Sequence, residues 1–318
     1  MRENVPLAPY TTLKAGGPAE WFTVARTVDE LAGTSLDAQK EGTAVTILGS
    51  GSNMLPSDAG VPGLTILDLA NEIHIDGQDV TADCGCAFQE LFLKTVQNGL
   101  KGLEFAVGIP GTLGGALVSN AGAYRSNVSE FLMELEVVHG AERKWVGPSF
   151  MQFSYRDSIL RRTDPPPCTL LRAKLRLPQG DPKASYDEAR GYQRQRISKQ
   201  PPPASAGSFF KNVNDRALAE SLETLPDPLK KAGVVPSGYL IEAVGLKGHR
   251  KGRVAFAPKH ANFIINVGGA SAFEIRDLAE FGKAKVREKF NVTLEEEVLY
   301  LGDWSGYSKS DANKRFQS

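Results

Sequence analysis

Two glycine-rich stretches carry the residue types from which a phosphate or flat-ring site is built. The first, Gly49-Ser50-Gly51-Ser52-Asn53-Met54-Leu55, follows the strand-like run Val45-Thr46-Ile47-Leu48. Backbone N–H groups at such a small-residue turn, helped by the side chains of Ser50, Ser52 and Asn53, can hold a pyrophosphate. It is not a Walker loop, because no Gly-Lys-Ser/Thr follows, and Met54 stands where a Rossmann fingerprint has its third glycine. Taken alone, a plain Gly/Ser turn is the simpler reading. The second stretch, GIPGTLGGALVSNAGAYRSNV at 108–128, crowds glycines and a proline into its first eight positions and continues through Asn120-Ala121-Gly122-Ala123-Tyr124. It reads as a long ordered loop that lies flat against a planar ligand, since loops of this length without one are uncommon.

Other chemistries find less support. His74, His139, His249 and His260 form no helical His pair and join no cysteine cluster, so no metal site is expected. Cys84, Cys86 and Cys168 are odd in number, and a Cys-x-Cys spacing is too tight for an easy disulfide; all three read as reduced thiols. Lys and Arg total 37 against 37 Asp and Glu, which lacks the positive field that nucleic acid or an anionic membrane surface would require. Glycine, 32 of 318 residues, is in excess of the usual share of roughly 7%. No basic start followed by an apolar run marks the N-terminus, and no apolar stretch is long enough to cross a bilayer, so a cytoplasmic chain without membrane insertion is expected.

The elements that must position these loops are legible in outline. Residues 20–68 alternate strand and helix signals: EWFTVA, a Thr27-Val28-Asp29-Glu30 capping pattern that opens a helix to about 40, AVTIL and GLTILDL. From about 73 the pattern changes to short strands, a helix over 87–99, the glycine-rich segment, and strands near 132–146 and 168–177. Lys199-Gln200-Pro201-Pro202-Pro203 cannot stay helical and reads as a linker. Beyond it come helices near 215–222 and 271–290 and strands at 263–267 and 297–301, then a polar tail. The expected division is 1–70, 71–198, 199–302 and a frayed tail over 303–318.

The pair GSGSNML and GIPGTLGGALVSNAGAY, in that order, resembles the FAD-binding region of the vanillyl-alcohol-oxidase-type flavoproteins. YRDSILRR at 155–162, SAGSFFKN at 205–212 and LEEEVLYLG at 294–302 narrow the resemblance to the UDP-N-acetylenolpyruvoylglucosamine reductases of peptidoglycan synthesis. The resemblance implies an α+β fold: a two-part PCMH-type FAD-binding domain followed by a smaller α+β substrate-binding domain. It implies non-covalent FAD, NADPH as co-substrate and a UDP-sugar substrate, with hydride passing first to the flavin and then to an enolpyruvyl ether. Gly49, Ser50, Gly51, Ser52, Asn53 and Met54 of the first stretch would face the cofactor. So would Ile109, Pro110, Gly111, Thr112, Gly114, Gly115, Asn120, Gly122, Ala123 and Tyr124 of the second. Nothing in the residues specifies an oligomer, and a monomer is expected.

The same resemblance implies catalytic roles for Arg156 of YRDS, Ser208 of GSFFKN and Glu297 of LEEE. Alternation along a strand places Glu295 and Glu297 on one face and Glu296 on the other, so pattern excludes only Glu296; the family's register, acid immediately before Val, selects Glu297. Hydride addition to a double bond beside a carboxylate generates an enolate-like charge, which a guanidinium stabilises with paired hydrogen bonds. An enolate is basic enough to take a proton even from a serine hydroxyl, and a buried carboxyl beside another carboxylate has a raised pKa that lets it share a proton. Without the resemblance, Arg156 beside Asp157 is a surface ion pair, Ser208 a turn residue and Glu297 part of a solvated acidic face.

For the UDP-sugar the resemblance nominates Lys199 and Lys247, supported by Tyr155, Asn212 and Tyr239, with His260 near the substrate. Val213 stands where the family usually has proline, and residues 177–199 lack an inserted loop carrying a tyrosine over the sugar, as in a family branch that closes its site differently. Two other readings remain open here. One is a flavin oxidase of the same superfamily, with Cys84 or Cys86 as a tether; the other is a non-catalytic flavin-binding protein.

Overall fold

The computed structural model describes residues 1–201, 204–309 and 312. The fold is α+β, and the chain forms two compact units that interleave in sequence. The first comprises Met1–Val5, Ala19–Gly51 and Pro62–Ser198; the second comprises Pro6–Pro18, Ser52–Val61 and Lys199–Ser318. Two short N-terminal segments thus belong with the C-terminal unit.

The first unit holds two sheets. One runs Arg2–Pro6, Pro18–Ala25, Val61–Asp68, Val45–Leu48 in spatial order, the last pair parallel with Val45 opposite Leu64 and Leu48 opposite Leu67. The other is antiparallel and runs Glu142–Val146, Leu132–His139, Cys168–Arg176, Asp79–Asp83, Ile73–Asp76. Helix Val28–Lys40 begins where the capping pattern indicates, with Thr27 Oγ1 accepting from Glu30 N at 3.2 Å. Its buried residues Val28, Leu31, Ala32, Ser35 and Ala38 recur every three or four positions and pack with Leu171 and Val138 of the second sheet. Neighbouring strand residues Val137 and Leu170 point to the opposite face, onto Phe88, Leu91, Leu113 and Leu117. The sheet is thus covered on both sides, and helix Phe88–Gln97 and the 112–118 segment rest on its second face.

In the second unit a four-stranded sheet, Ala204–Ser205, Ile264–Asn266, Val254–Phe256, Arg250–Lys251, packs under helix Ala272–Phe290. That helix starts with a reciprocal capping box between Ser271 and Glu274, and the Asp58 carboxylate accepts from Ala272 N and Phe273 N, both at 2.8 Å. Met54–Pro56 pairs in parallel with Leu299–Leu301, which explains why residues 52–61 join this unit.

The tail is not frayed over its described part. Arg276 lies 4.4 Å from the Tyr300 ring centre, 4.5 Å from Trp304 and 4.3 Å from Tyr307, and Tyr307 Oη donates to Asp277 at 2.8 Å. The polar composition of 303–318 hid two aromatics that close on a helix. Residues 310, 311 and 313–318 lie outside the described residues. Among the described residues no helix is long and apolar enough to cross a membrane.

Candidate active site

The first unit supplies a backbone cradle. A Cβ at position 49 would stand 2.6 Å from Thr112 Oγ1, so only glycine lets the 49–51 turn close onto the second loop. Gly111, at φ +137°, turns the chain into Thr112, whose Oγ1 accepts from Gly115 N at 3.3 Å and caps a short helix, Leu113–Val118. The long loop read from the sequence is therefore partly helical, anchored by buried Leu113 and Leu117, and it ends in a hairpin pairing Gly122–Ala123 with Ser126–Asn127. Leu113 N and Gly114 N donate to the carbonyls of Cys86 and Cys84, at 2.9 and 2.7 Å, which fastens the loop to the five-stranded sheet.

At the far end of this loop Asn120 sits in the left-handed region, φ 43°. Its amide nitrogen donates to Ser154 O at 3.0 Å, while its Oδ1 is buried with no hydrogen-bond partner among the described residues. A buried acceptor without a donor is costly, and a ligand N–H or O–H would satisfy it. Arg156, also left-handed at φ 54°, donates through its terminal nitrogens to the carbonyls of Asn120 (3.4 Å) and Gly122. The guanidinium is thus held by the cradle itself, while Asp157 pairs with Arg162 at 3.8 Å. Tyr155 lies exposed beside it, its ring centre 5.3 Å from the guanidinium carbon.

Sequence reasoning missed Tyr192 and Arg196. Residues 182–199 form a helix, Pro182–Lys199, and from it Tyr192 stacks on Tyr124 with centroids 3.6 Å apart. Arg196 donates to Phe105 O at 3.2 Å and lies 5.7 Å from the Tyr124 ring centre. Burial lowers the pKa of Arg196, and the charge of Arg156 acts in the same direction. The mean character of this helix is polar, so no apolar stripe announced it; the aromatic partner at 124 is the only sequence signal.

The second unit gathers the other two predicted catalytic residues. Ser208 is half-buried and precedes Phe209 and Phe210, both buried. Asn262 fixes that turn: its carbonyl accepts from Phe209 N (2.7 Å), its Oδ1 from Phe210 N (3.0 Å), and its amide donates to Phe210 O (2.8 Å). Phe209 O in turn accepts from Glu297 N at 2.8 Å, which brings Ser208 and Glu297 onto adjoining segments. The three consecutive glutamates have different fates. Glu295 is paired with Lys211 (2.5 Å) and Glu296 with Lys283 (2.7 Å), while Glu297 has its carbonyl held by the Asn53 amide at 3.1 Å. The expected strand over 297–301 begins only at Leu299, so strand alternation does not apply to the three glutamates.

Apart from Tyr155, the predicted substrate groups lie in this unit. His260 is half-buried, and its pKa is lowered first by burial and then by the charges of Lys199 and Lys247. Asn262 N donates to His260 Nδ1 at 3.3 Å, which leaves the proton of the neutral ring on Nε2. Lys247 is held by Glu242 at 2.9 Å. Asn212 Oδ1 accepts from Ser237 N at 3.3 Å, and Tyr239 Oη meets Thr224 Oγ1 at 2.5 Å. Lys199 and Lys247 make a local cationic environment around the neutral His260, suited to an anionic ligand.

Cys84 and Cys86 are buried free thiols; burial pushes Cys84 well up and Cys86 to about 12. Thiolate chemistry at either position is correspondingly disfavoured.

Residues 19–144 match a family model described as an FAD binding domain, and residues 197–301 match one described as the C-terminal domain of UDP-N-acetylenolpyruvoylglucosamine reductase. The chain is similar to the UDP-N-acetylenolpyruvoylglucosamine reductase of Rubrobacter xylanophilus, 37% identical over 301 residues and 94% of each chain. It is also similar to that of Bacillus subtilis, 35% identical over 303 residues, 94% of this chain and 93% of the other. Among solved structures, the UDP-N-acetylenolpyruvylglucosamine reductase of Thermus caldophilus superposes with a TM-score of 0.74 at 30% identity, covering 94% of this chain and 98% of that one. The cradle, the serine turn and the glutamate segment thus sit in a chain whose relatives match it nearly end to end, and the chain belongs to the UDP-N-acetylenolpyruvoylglucosamine reductase family.

Proposed function

We propose that this chain reduces the enolpyruvyl ether of UDP-N-acetylglucosamine to UDP-N-acetylmuramate at the expense of NADPH, in the cytoplasm, using Arg156, Ser208 and Glu297. The observation that carries the assignment of roles is the hydrogen bond from Glu297 N to Phe209 O, which sets the proposed acid beside the turn that holds the proposed proton donor.

FAD, when bound, accepts hydride from NADPH and supplies it to the substrate's double bond. The cradle of Gly49, Gly51, Gly111, Thr112 and Asn120 fits that cofactor, because its close backbone approach and its unsatisfied Asn120 oxygen both call for a ligand. Addition of hydride to the terminal carbon breaks the C=C π bond and leaves an enolate on the carboxylate side. Arg156 takes that developing charge with N–H donors whose plane is set by the carbonyls of Asn120 and Gly122. Ser208 gives its Oγ proton to the carbanionic carbon and regains one from water. Glu297, in its protonated form, hydrogen-bonds the substrate carboxylate and keeps the enolate form accessible. Lys199, Lys247 and His260 support binding of the pyrophosphate and sugar. The buried, high-pKa thiols of Cys84 and Cys86 support a non-covalent cofactor over a tethered one.

Anaerobic addition of NADPH to the flavin-loaded protein is expected to bleach the visible flavin absorbance, and the enolpyruvyl substrate is expected to restore it. Bleaching without recovery on substrate would refute the assignment.

A further inference from the structure

Asn53 belongs to the glycine-rich stretch that faces the cofactor, yet its hydrogen bonds run elsewhere. Its side-chain amide donates to Glu297 O at 3.1 Å, and its own carbonyl accepts from Leu299 N, also at 3.1 Å. Asn53, Glu297 and Leu299 all lie in the second unit. Asn53 therefore brackets Val298, whose own side chain is buried, and grips the chain on both sides of it. The parallel ribbon of Met54–Pro56 with Leu299–Leu301 starts one residue later, so the Asn53 side chain adds a bond to Glu297 O just beyond the last backbone rung, Leu299 N to Asn53 O. With Glu297 N on Phe209 O, both peptide groups of Glu297 are held: its N–H by the serine turn, its C=O by the cofactor stretch.

From this we infer that Asn53 is a positioning residue for Glu297, linking the placement of the acid to the conformation of residues 52–54. This rests on the proposed role of Glu297 in the reaction. An aspartate at this position keeps shape and backbone bonds but presents an acceptor to an acceptor, and the Glu297 carbonyl loses its donor.

The test compares Asn53→Asp and Asn53→Ser with Glu297→Gln, each as the full flavin-loaded chain. In both Asn53 variants reoxidation is expected to suffer more than flavin retention or bleaching by NADPH, because the bond lost is the one to Glu297 O. Reoxidation by the enolpyruvyl substrate is expected to slow roughly tenfold or more, as a misplaced catalytic group implies. Amide hydrogen exchange across 297–299 is expected to quicken, a readout independent of turnover. The serine variant, which keeps a short donor and disturbs folding least, is expected to be the milder of the two. If flavin retention and bleaching fall in step with reoxidation, Asn53 is a cofactor ligand and the inference fails. If reoxidation is unchanged in both Asn53 variants while Glu297→Gln slows it, the inference fails and the role of Glu297 stands. If Glu297→Gln itself reoxidises normally, the reading of Glu297 falls and this inference with it.

Discussion

The Phe209 carbonyl accepts the Glu297 amide proton at 2.8 Å, so the residue that follows the proposed proton donor holds the backbone of the proposed acid. The two segments are far apart in sequence, and a second backbone bond, Lys211 N to Glu295 O at 2.8 Å, pairs them antiparallel through Phe210 and Glu296. Burial reinforces that pairing: Phe209 is fully buried, Phe210 and Val298 nearly so, and all three share one apolar cluster.

Ser208 then has a separable role. Ser208→Ala removes the proton source without touching the phenylalanine anchors or Asn262. Flavin bleaching by NADPH is expected to proceed as in the parent, while substrate-driven reoxidation drops by at least about 10²-fold, the lower end of what a positioned acid supplies. Stopped-flow absorbance of the two half-reactions separates them. Equal loss in both would refute the role.

Much of this arrangement is legible in sequence where the cause is local, and illegible where it is not. The Thr27-to-Glu30 cap writes its signature within four residues, and helix Val28–Lys40 follows it. Helix Leu113–Val118 was hidden because Gly114-Gly115 is a poor helix sequence; buried leucines and the Thr112 cap override that propensity. The assignment of residues 52–61 to the second unit depends on Met54–Pro56 finding Leu299–Leu301, a pairing across most of the chain that leaves no local pattern. The glutamates show the same limit: alternation leaves Glu295 and Glu297 equivalent, and the pairing of Glu295 with the distant Lys211 leaves no local pattern. Arg156, Ser208 and Glu297 came from motif resemblance, since each residue alone has an ordinary structural explanation.

Gly49 offers a test of the cradle that does not depend on turnover. Alanine there brings its Cβ to 2.6 Å from Thr112 Oγ1 and 3.0 Å from its Cγ2, an overlap that must move one loop or the other. Gly49→Ala is expected to weaken FAD retention and to cost about 1–3 kcal/mol of stability, the usual range for overpacking. Thr112→Ala alone loses a helix cap worth about 1 kcal/mol. The double variant relieves the clash, so its cost is expected to be smaller than the sum of the two. Denaturant midpoints and flavin retained after gel filtration measure both; strict additivity would show that the two loops do not meet as described.

Arg276 is expected to be the anchor of the last described segment. Three aromatic rings stand within 4.5 Å of its guanidinium carbon. Each such contact contributes about 0.5–1 kcal/mol, more where water is excluded. Arg276→Met keeps much of the aliphatic packing and removes the charge, and is expected to destabilise the chain by about 1–2 kcal/mol. It is also expected to open the segment after Leu301 to limited proteolysis. Unchanged proteolysis there would mean that the Tyr307–Asp277 hydrogen bond and the indole bond from Trp304 to Leu301 hold it without the arginine.

Asp68 links stability to pH. It is 3% exposed, and burial raises its pKa to about 6; the backbone N–H of Ala70 opposes that shift, and the Asp83 carboxylate adds to it. A folded-state pKa above the unfolded one means that the folded chain binds the proton more tightly. The associated stabilisation is complete below the unfolded pKa near 3.8 and is lost as pH rises through about 6. A shift of about two units corresponds to roughly 3 kcal/mol at most. Asp68→Asn cannot titrate, and its amide oxygen can still accept from Ala70 N, which Asp68 Oδ1 does at 3.0 Å. The variant is therefore expected to gain on the parent as pH rises from about 4.5 to 7, with no further gain above, where the aspartate is already ionised. Urea midpoints of both proteins at several pH values across that range measure the difference. A gap that stays constant with pH would show that Asp68 keeps an ordinary carboxylate pKa in the fold, and that water reaches it.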